Sequence, residues 1–304
     1  MKVIMVTGGA GFVGSNFVRY ILSNHPDFIV INYDNLSLEG ALENIRDLEG
    51  RARYYFVPGD INDAKKVKKV LSECNPDYVI NFAAAPLNKR NTEPLLVGRT
   101  NILGVLNLLT CLKDYWQAGE YKHKRFIQVC AAGETTSGGD NLYAAAQDSA
   151  VLLGKAFFKT YKFPIIITRS CPNYGPYQPQ EEFIPQAIIK ALRQEAIPVY
   201  GEATNPQEWM YVLDHASALM RILLEGQPGE VYSFNSGEYI SNLELVKIIL
   251  SNAGQNPAAQ DSEALDQDKS PAPLNLEENN LTWQGSYSLR EGIKKTIEWY
   301  RRRI

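Results

Sequence analysis

A glycine-rich stretch directly after the first apolar segment restricts the possible folds of this sequence more than any other feature. The stretch, Thr7–Gly14, reads T-G-G-A-G-F-V-G and spaces three of its glycines as G-x-x-G-x-x-G. It follows a predicted strand, Val3–Val6, and leads into a predicted helix, Ser15–Ser23. A glycine turn between a strand and a helix is typical of dinucleotide-binding α/β folds, whereas a bare flexible loop would lack those neighbours.

Each glycine of this stretch has a predicted role. Gly8 permits the tight turn, Gly11 leaves room for a pyrophosphate, and Gly14 lets the helix pack closely on the sheet. The phosphates are expected beside Phe12 and Val13, because the amide groups and the dipole at a helix N-terminus favour anions.

The first half of the chain alternates short β-branched runs with longer amphipathic stretches. Further strands are predicted at Phe28–Tyr33, Tyr54–Pro58, Tyr78–Phe82, Phe126–Cys130 and Pro164–Thr168, and further helices at Ala64–Glu73, Thr100–Tyr115 and Tyr143–Tyr161. This alternation predicts an α/β fold, a Rossmann-type doubly wound parallel sheet with helices on both faces.

The chain length indicates two lobes. A chain of 304 residues exceeds the ~250–300 residues at which single cores stop growing. We expect a dinucleotide-binding domain at 1–170 with a return at 212–235, and a smaller α/β substrate-binding domain from 171–211 and 236–304. The predicted return consists of a helix at Asp214–Leu224 and a strand at Val231–Asn235. The predicted elements of the smaller domain are helices at Phe183–Arg193, Asn242–Asn252 and Leu289–Arg303, a strand at Ile197–Tyr200 and a loop over 256–280.

Composition excludes several classes of protein. A net charge of −3 does not indicate the basic surface that is typical of nucleic-acid-binding proteins. Nothing near Met1 resembles a signal peptide, and no apolar run approaches the ~18 residues of a membrane span, so no membrane partner and a cytoplasmic location are expected. The four cysteines are widely spaced without a C-x-x-C pair, which predicts neither disulfides nor a metal site.

Asp34 indicates which dinucleotide the site takes. It ends the second predicted strand, where a carboxylate accepts hydrogen bonds from the ribose hydroxyls and repels a 2′-phosphate. NAD is therefore favoured over NADP, and the alternative interpretation of Asp34 is a turn residue. Asp60 follows the third strand, and small residues that let the cofactor approach follow the fourth, at Ala83, Ala84 and Ala85.

Segments along the whole chain carry a resemblance to a known family. They are the glycine stretch, Asp34–Ser37, Gly59–Ile61, Asn81–Ala84, Thr100–Ile102, Arg169–Pro176, Pro198–Gly201, Trp209–Val212, Asp214–His215 and Gly292–Tyr300. On these residues the chain resembles the extended short-chain dehydrogenases/reductases of the NAD-dependent epimerase/dehydratase family, closest to the dTDP-glucose 4,6-dehydratase type.

The resemblance implies a partner, a cofactor and an assembly. It implies tightly held NAD, a dTDP-, UDP- or GDP-linked sugar across the cleft, and a homodimer formed by the helices Thr100–Tyr115 and Tyr143–Tyr161. Those helices have a second interpretation, as simple cover for the sheet. Further cofactor contacts implied in this way are Asn35, Ser37, Ile61, Thr100, Tyr143 and Gln147.

The family's chemistry needs a tyrosine and a lysine four residues later, and here the pair is Tyr143 and Gln147. A lysine cation favours tyrosinate, whereas a free tyrosine titrates near ~10 and is only ~0.1% ionised at neutral pH. Glutamine can keep the hydrogen bonds to the nicotinamide ribose but not this electrostatic effect.

The catalytic hydroxyl and acid pair of the dehydratases are also missing. By register from Phe126, their positions hold Ala131, Ala132 and Gly133, which transfer no protons. Glu134 is the nearby acid with a candidate catalytic role, and its alternative is a solvated loop residue.

The third departure concerns substrate phosphate. The family commonly has an arginine where this chain has Gln207, and no arginine occurs in 255–280. Asn173 is retained and Arg90 is a candidate substitute, because guanidinium groups are the usual ligands of phosphate. Two hypotheses follow: an NAD-dependent nucleotide-sugar enzyme with Tyr143 as its proton-transfer group, or a catalytically degenerate NAD-binding protein with a structural or regulatory role.

Overall fold

A seven-stranded parallel sheet forms the centre of the protein in a computed structural model. The structure describes residues 1–38, 40–85, 93–117, 120–131, 142–197, 199–200, 206–256, 264–265 and 283–304. The strands are β1 Lys2–Thr7, β2 Phe28–Asp34, β3 Tyr54–Pro58, β4 Tyr78–Asn81, β5 Arg125–Ala131, β6 Ile165–Ser170, β7 Asn173–Tyr174, β8 Val199–Tyr200, β9 Pro206–Glu208, β10 Met210–Tyr211, β11 Val231–Phe234, β12 Tyr239–Ser241 and β13 Ala264–Leu265. The large sheet has the order β11-β6-β5-β4-β1-β2-β3. The predicted doubly wound α/β fold is confirmed.

Helices cover both faces of this sheet. They are α1 Phe12–Asn24, α2 Ala64–Cys74, α3 Pro94–Val97, α4 Val105–Trp116, α5 Leu142–Tyr161, α6 Phe183–Leu192, α7 Val212–Glu225, α8 Asn242–Ala253 and α9 Leu289–Arg301. Phe17 of α1 and Leu219 of α7 are fully buried in one apolar cluster, and Leu108 of α4 is fully buried in the cluster on the opposite face. Because both faces are covered, the central strands are apolar on both sides instead of alternating.

The helix predicted at Thr100–Tyr115 is longer and less regular than its pattern indicates. Between α3 and α4 the chain forms a π-helix over Gly98–Gly104. A Cβ on Gly104 would lie 2.7 Å from Cδ1 of Ile61, so this turn approaches the loop after β3 too closely for a side chain. Such π segments are rare and frequently lie at functional sites.

One helical stretch, Pro94–Trp116, is long and apolar enough to span a membrane by length and composition alone. It has 23 residues, and an 18-residue window within it has a mean hydropathy of 1.6. Leu108, Leu109 and Leu112 are fully buried against the sheet, as in the core helix of a soluble protein.

The second lobe is built on α6, α8 and α9, which pack around one apolar cluster that contains Ile188, Ile249 and Ile293. Three short strand pairs accompany these helices: β7 with β10, β9 with β12, and β8 with β13. The pair β8–β13 places a strand at Ala264–Leu265, inside the segment predicted as loop. The prediction is wrong there because pairing with β8, rather than local sequence, forms this strand.

Candidate dinucleotide site and cleft

The glycine turn lies between β1 and α1 at the carboxyl edge of the sheet. Gly8 has φ +71° and donates its N–H to the carbonyl of Tyr33 at 3.0 Å. A Cβ on Gly8 would lie 2.5 Å from the amide nitrogen of Ala83, and one on Gly14 would lie 2.3 Å from the carbonyl oxygen of Gly8. The packing of the protein itself therefore requires glycine at both positions.

Gly11 differs from these two glycines, because a Cβ there would make a tight contact rather than a clash. The nearest atoms to a Cβ on Gly11 are the carbonyl oxygen of Gly8 at 3.3 Å and Cδ1 of Leu38 at 3.8 Å. Gly11 is the N-cap of α1, supplies no capping side chain, and the first turn holds no acidic residue. No side chain among the described residues accepts a hydrogen bond from the amides of Phe12 and Val13, and such an uncapped helix N-terminus fits a pyrophosphate.

Asp34 lies beside this turn at the end of β2. Its carboxylate is 9% exposed and accepts hydrogen bonds from the backbone N–H of Ala10 at 2.9 Å and of Leu36 at 2.8 Å. Burial raises the pKa of Asp34, and these two hydrogen bonds oppose that shift. Because each carboxylate oxygen can accept a second hydrogen bond, both remain available to ribose hydroxyls.

Asp60 connects the loops that follow β2 and β3. It accepts hydrogen bonds from Nδ2 of Asn35 at 3.0 Å and Nδ2 of Asn62 at 2.9 Å. Burial acts to raise the pKa of Asp60, but hydrogen bonds from Asn62 and Asn35 hold it below its usual value. Asn35 in turn accepts the N–H of Ser37 at 3.0 Å. Asn35, Ser37 and Asp60, three predicted cofactor contacts, therefore lie together in one wall.

The side chain of Ile61 is 4% exposed and packs in the core under Gly104. Only the backbone of Ile61 can therefore approach a cofactor. Thr100 is half-buried on the π segment, where its neighbour Asn101 accepts the N–H of Ala85 at 2.8 Å. Nδ2 of Asn101 is buried and has no hydrogen-bond partner within the described ranges, so Asn101 is a further polar candidate beside the three alanines.

Uncharged polar side chains join the carboxyl ends of β1, β4 and β5. Thr7 donates its hydroxyl to Oδ1 of Asn81 at 2.6 Å, and Nδ2 of Asn81 donates to Oε1 of Gln128 at 2.9 Å. Oδ1 of Asn81 also accepts the N–H of Ala83 at 3.1 Å. The sequence reasoning missed this network, although an amide side chain inside an apolar strand is a signal that could have found it.

Helix α5 carries the predicted catalytic tyrosine. Tyr143 is half-buried, and Gln147, one turn later on the same face, is only 7% exposed. The next residue, Asp148, pairs with Arg169 at the end of β6, with 3.1 Å between Oδ1 and Nη2. Ala131 is the exposed last residue of β5.

Several predicted residues lie outside the part of the chain that the structure describes. They are Glu134, Ala132, Gly133 and Arg90. Asn173 begins β7 and donates Nδ2 to Oγ of Ser170 at 3.3 Å, while its buried Oδ1 has no partner among the described residues. Gln207 is half-buried on β9, opposite Ile240 of β12. Within the described residues, no group of three or more potential ligands could hold a metal ion.

Comparisons with known proteins cover almost the entire chain. The family model of GDP-mannose 4,6 dehydratase matches residues 5–296. The dTDP-glucose 4,6-dehydratase of Xanthomonas campestris is 33% identical over 99% of this chain and 93% of its own. A crystal structure of dTDP-glucose 4,6-dehydratase from Bacillus anthracis in complex with NAD has a TM-score of 0.86 at 32% identity, covering 99% of this chain and 97% of that one.

An epimerase is similar as well. The structure of UDP-glucose 4-epimerase with UDP-glucose from Thermotoga maritima has a TM-score of 0.83 at 25% identity and covers 99% of both chains. The similar proteins thus include both a dehydratase and an epimerase, which share a nucleotide-linked hexose and differ in the fate of the sugar.

Proposed function

Because the chain belongs to the NAD-dependent epimerase/dehydratase family of extended short-chain dehydrogenases/reductases, we propose that it modifies a nucleotide sugar with NAD held in the cleft. The observation that carries the proposal is the first turn of α1, where Gly11 carries no side chain and no described side chain accepts a hydrogen bond from the amides of Phe12 and Val13. Asp34 lies beside this turn, and each of its carboxylate oxygens can accept a second hydrogen bond.

Different groups of residues hold the different parts of the dinucleotide. Asp34 and the wall of Asn35, Ser37 and Asp60 hold the adenosine, and the amides after Gly11 hold the pyrophosphate. The nicotinamide half lies over Ala83, Ala84, Ala85 and Thr100, with Tyr143 and Gln147 on α5. When bound, NAD accepts hydride from the C4 carbinol of the sugar and returns it.

Tyr143 is the proton-transfer group of this proposal. Its phenolate takes the proton of the C4 hydroxyl, and the phenol so formed gives the proton back when the carbonyl is reduced. With Gln147 in place of a cation, a deficit of about two pKa units would cost about 2.7 kcal/mol. We therefore expect a slow enzyme.

The product depends on the segment after β5. Ala131 presents a methyl group and transfers no proton, so dehydration by an acid pair in this register is disfavoured. Glu134 is the acid that we propose for any proton transfer at C5 or C6. Without it, epimerisation or oxidation at C4 is the chemistry that Tyr143 alone supports.

Substrate binding is assigned to Asn173, Gln207 and Arg90, with a dTDP-, UDP- or GDP-linked sugar as ligand. The names of the similar proteins support this class of substrate. We also propose a cytoplasmic homodimer. Exposed leucines on α3, the π segment and α5 support the dimer: Leu95, Leu96, Leu103, Leu142 and Leu152 are 43–67% exposed.

A second candidate function is a catalytically degenerate, NAD-binding structural or regulatory protein. Ala131 at the end of β5 and the neutral Gln147 on α5 favour it, because both replace groups that move or stabilise protons. The cofactor half of the site is the same in both candidates.

One experiment separates the two functions. Purified protein is analysed for bound NAD(H) by absorbance and incubated in heavy water with dTDP-, UDP- and GDP-sugars. An active enzyme incorporates deuterium or changes the sugar, and Tyr143→Phe abolishes this. Bound NAD without exchange on any sugar supports the degenerate protein, and retained activity in Tyr143→Phe contradicts the role of Tyr143.

A further inference from the structure

We propose that Gln147 determines the oxidation state in which the nicotinamide is held, so that this site retains NAD⁺ in preference to NADH. The inference rests on the proposed function insofar as a nicotinamide dinucleotide occupies the cleft. It concerns binding and applies whether or not the chain is an active enzyme.

The first step is the position of Gln147 relative to the ends of the sheet. Asp34 fixes the adenosine end at β2, and the glycine turn fixes the pyrophosphate at β1. In a doubly wound sheet the dinucleotide crosses the carboxyl edge at this point, so its other half extends over β4 and β5. Helix α5, which carries Gln147, contacts β5 and the π segment that holds Asn101. Gln147 is therefore on the nicotinamide side of the cleft.

The second step is the charge of these surroundings. The described side chains at the ends of β1, β4 and β5 are uncharged and include Thr7, Asn81 and Cys130. The nearest described ions on α5 and β6, Asp148 and Arg169, pair at 3.1 Å and so largely cancel each other. Gln147 is only 7% exposed, so solvent would do little to screen a charge placed at this position.

The third step is the effect of charge on the two forms of the cofactor. The oxidised nicotinamide ring carries a positive charge and the reduced ring is neutral. A buried cation at position 147 would raise the free energy of the oxidised form alone, whereas a neutral carboxamide has no net charge to repel the positive ring. Position 147 thus acts selectively on NAD⁺, while the contacts of the adenosine and pyrophosphate act equally on both forms.

The test compares the dissociation constants of NAD⁺ and NADH by calorimetry for the full-length protein. The wild type is expected to bind NAD⁺ at least as tightly as NADH. Gln147→Lys is expected to shift the ratio of the two constants at least about tenfold toward NADH, a change of about 1.4 kcal/mol. Gln147→Met, neutral and similar in size, is the matched control, and its ratio stays within about threefold of the wild type.

Gln147→Glu provides the opposite charge and a second measurement if the lysine variant does not fold. It is expected to move the ratio toward NAD⁺. An unchanged ratio in both charged variants, or a shift in Gln147→Met as large as in Gln147→Lys, overturns the inference while leaving the proposed function intact. Failure of the wild type to bind either dinucleotide overturns the proposed function itself.

Discussion

Gly11 and Gly14 lie three residues apart in one turn, but a side chain would have different neighbours at the two positions. A Cβ on Gly14 would meet the backbone of Gly8 at 2.3 Å, whereas one on Gly11 would meet nothing closer than 3.3 Å. The packing of the protein therefore requires glycine at position 14, whereas we propose that dinucleotide binding requires it at position 11.

Alanine at each position is expected to separate these roles. Gly11→Ala should change the free energy of unfolding of NAD-free protein by less than about 1 kcal/mol and weaken NAD binding at least about tenfold. Gly14→Ala should cost about 1–3 kcal/mol of stability. Urea unfolding and calorimetry measure both effects, and normal NAD affinity in Gly11→Ala would contradict the placement of the pyrophosphate.

His215 on α7 makes the protein sensitive to acid. It is buried, neither ring nitrogen has a hydrogen-bond partner in the described part of the chain, and burial lowers its pKa from 6.5 to about 3. The unfolded chain binds this proton near pH 6.5 and the folded chain does not. The contribution of the neutral His215 to the free energy of unfolding is therefore complete above pH 6.5 and is lost as the pH falls toward 3.

His215→Leu should remove this part of the pH dependence. Relative to the variant, the wild type is expected to lose about 1.4 kcal/mol of unfolding free energy per pH unit below about pH 6. Urea unfolding at pH 7.5, 6 and 5 measures the difference. Parallel stability curves for the two proteins would show that His215 is protonated or paired in the folded state.

At the scale of elements, α9 begins with a complete capping box. Ser288 accepts the N–H of Glu291, and the carboxylate of Glu291 accepts the N–H of Ser288 at 2.9 Å. Hydrogen bonds from the hydroxyl and from the backbone N–H of Ser288 to the carboxylate hold the pKa of Glu291 below its usual value. The helix packs its buried face, including Ile293, into the core of the second lobe.

Loss of this cap should destabilise the protein modestly. Ser288→Ala is expected to lower the free energy of unfolding by about 1 kcal/mol, whereas Ser288→Asp, which can still cap, should lose much less. Ser251→Ala on the exposed face of α8 is a control for the loss of a serine elsewhere. An equal loss in all three variants would argue against the cap as the cause.

Elements with a clear period were predicted well from the sequence. Helix α5 was predicted to within one residue, because its apolar spacing persists over the whole length. The π segment Gly98–Gly104 was missed because a local change in helical pitch leaves the apolar pattern almost unchanged. The strand Ala264–Leu265 was missed because its partner β8 is distant in sequence.

At the scale of the whole molecule, the exposed leucines on α3, the π segment and α5 are candidates for the interface of the proposed dimer. Leu152 is 67% and Leu103 56% exposed, beside helices whose other faces are already in the core. Two copies of this chain that pack these faces together would remove that apolar surface from water.

A charge on this face should dissociate the proposed dimer. Leu152→Glu is expected to convert the dimer into a folded monomer, because a carboxylate is costly to bury in an apolar interface. Leu224→Glu on α7, where the leucine is 40% exposed, is the matched control and should leave the mass unchanged. Light scattering measures the mass, and a monomeric wild type would refute the interface.

The sequence by itself determined the doubly wound sheet, the glycine turn and the position of Asp34 beside that turn. These depend on local periodicity and on residues at strand ends, where the topology of parallel strands brings distant segments to one edge. The resemblance to the family also predicts that Gln147 and Ala131 lie where the lysine and the catalytic hydroxyl are expected.

Only the tertiary structure gave the clearances at these glycines, which are clashes at Gly8 and Gly14 and a tight contact at Gly11. It alone showed the hydrogen-bond network from Thr7 to Gln128 and the ion pair between Asp148 and Arg169. The reason is that clearance, hydrogen-bond partners and local charge depend on atoms that are far apart in the chain. A linear pattern identifies the residues but does not give the distances between them.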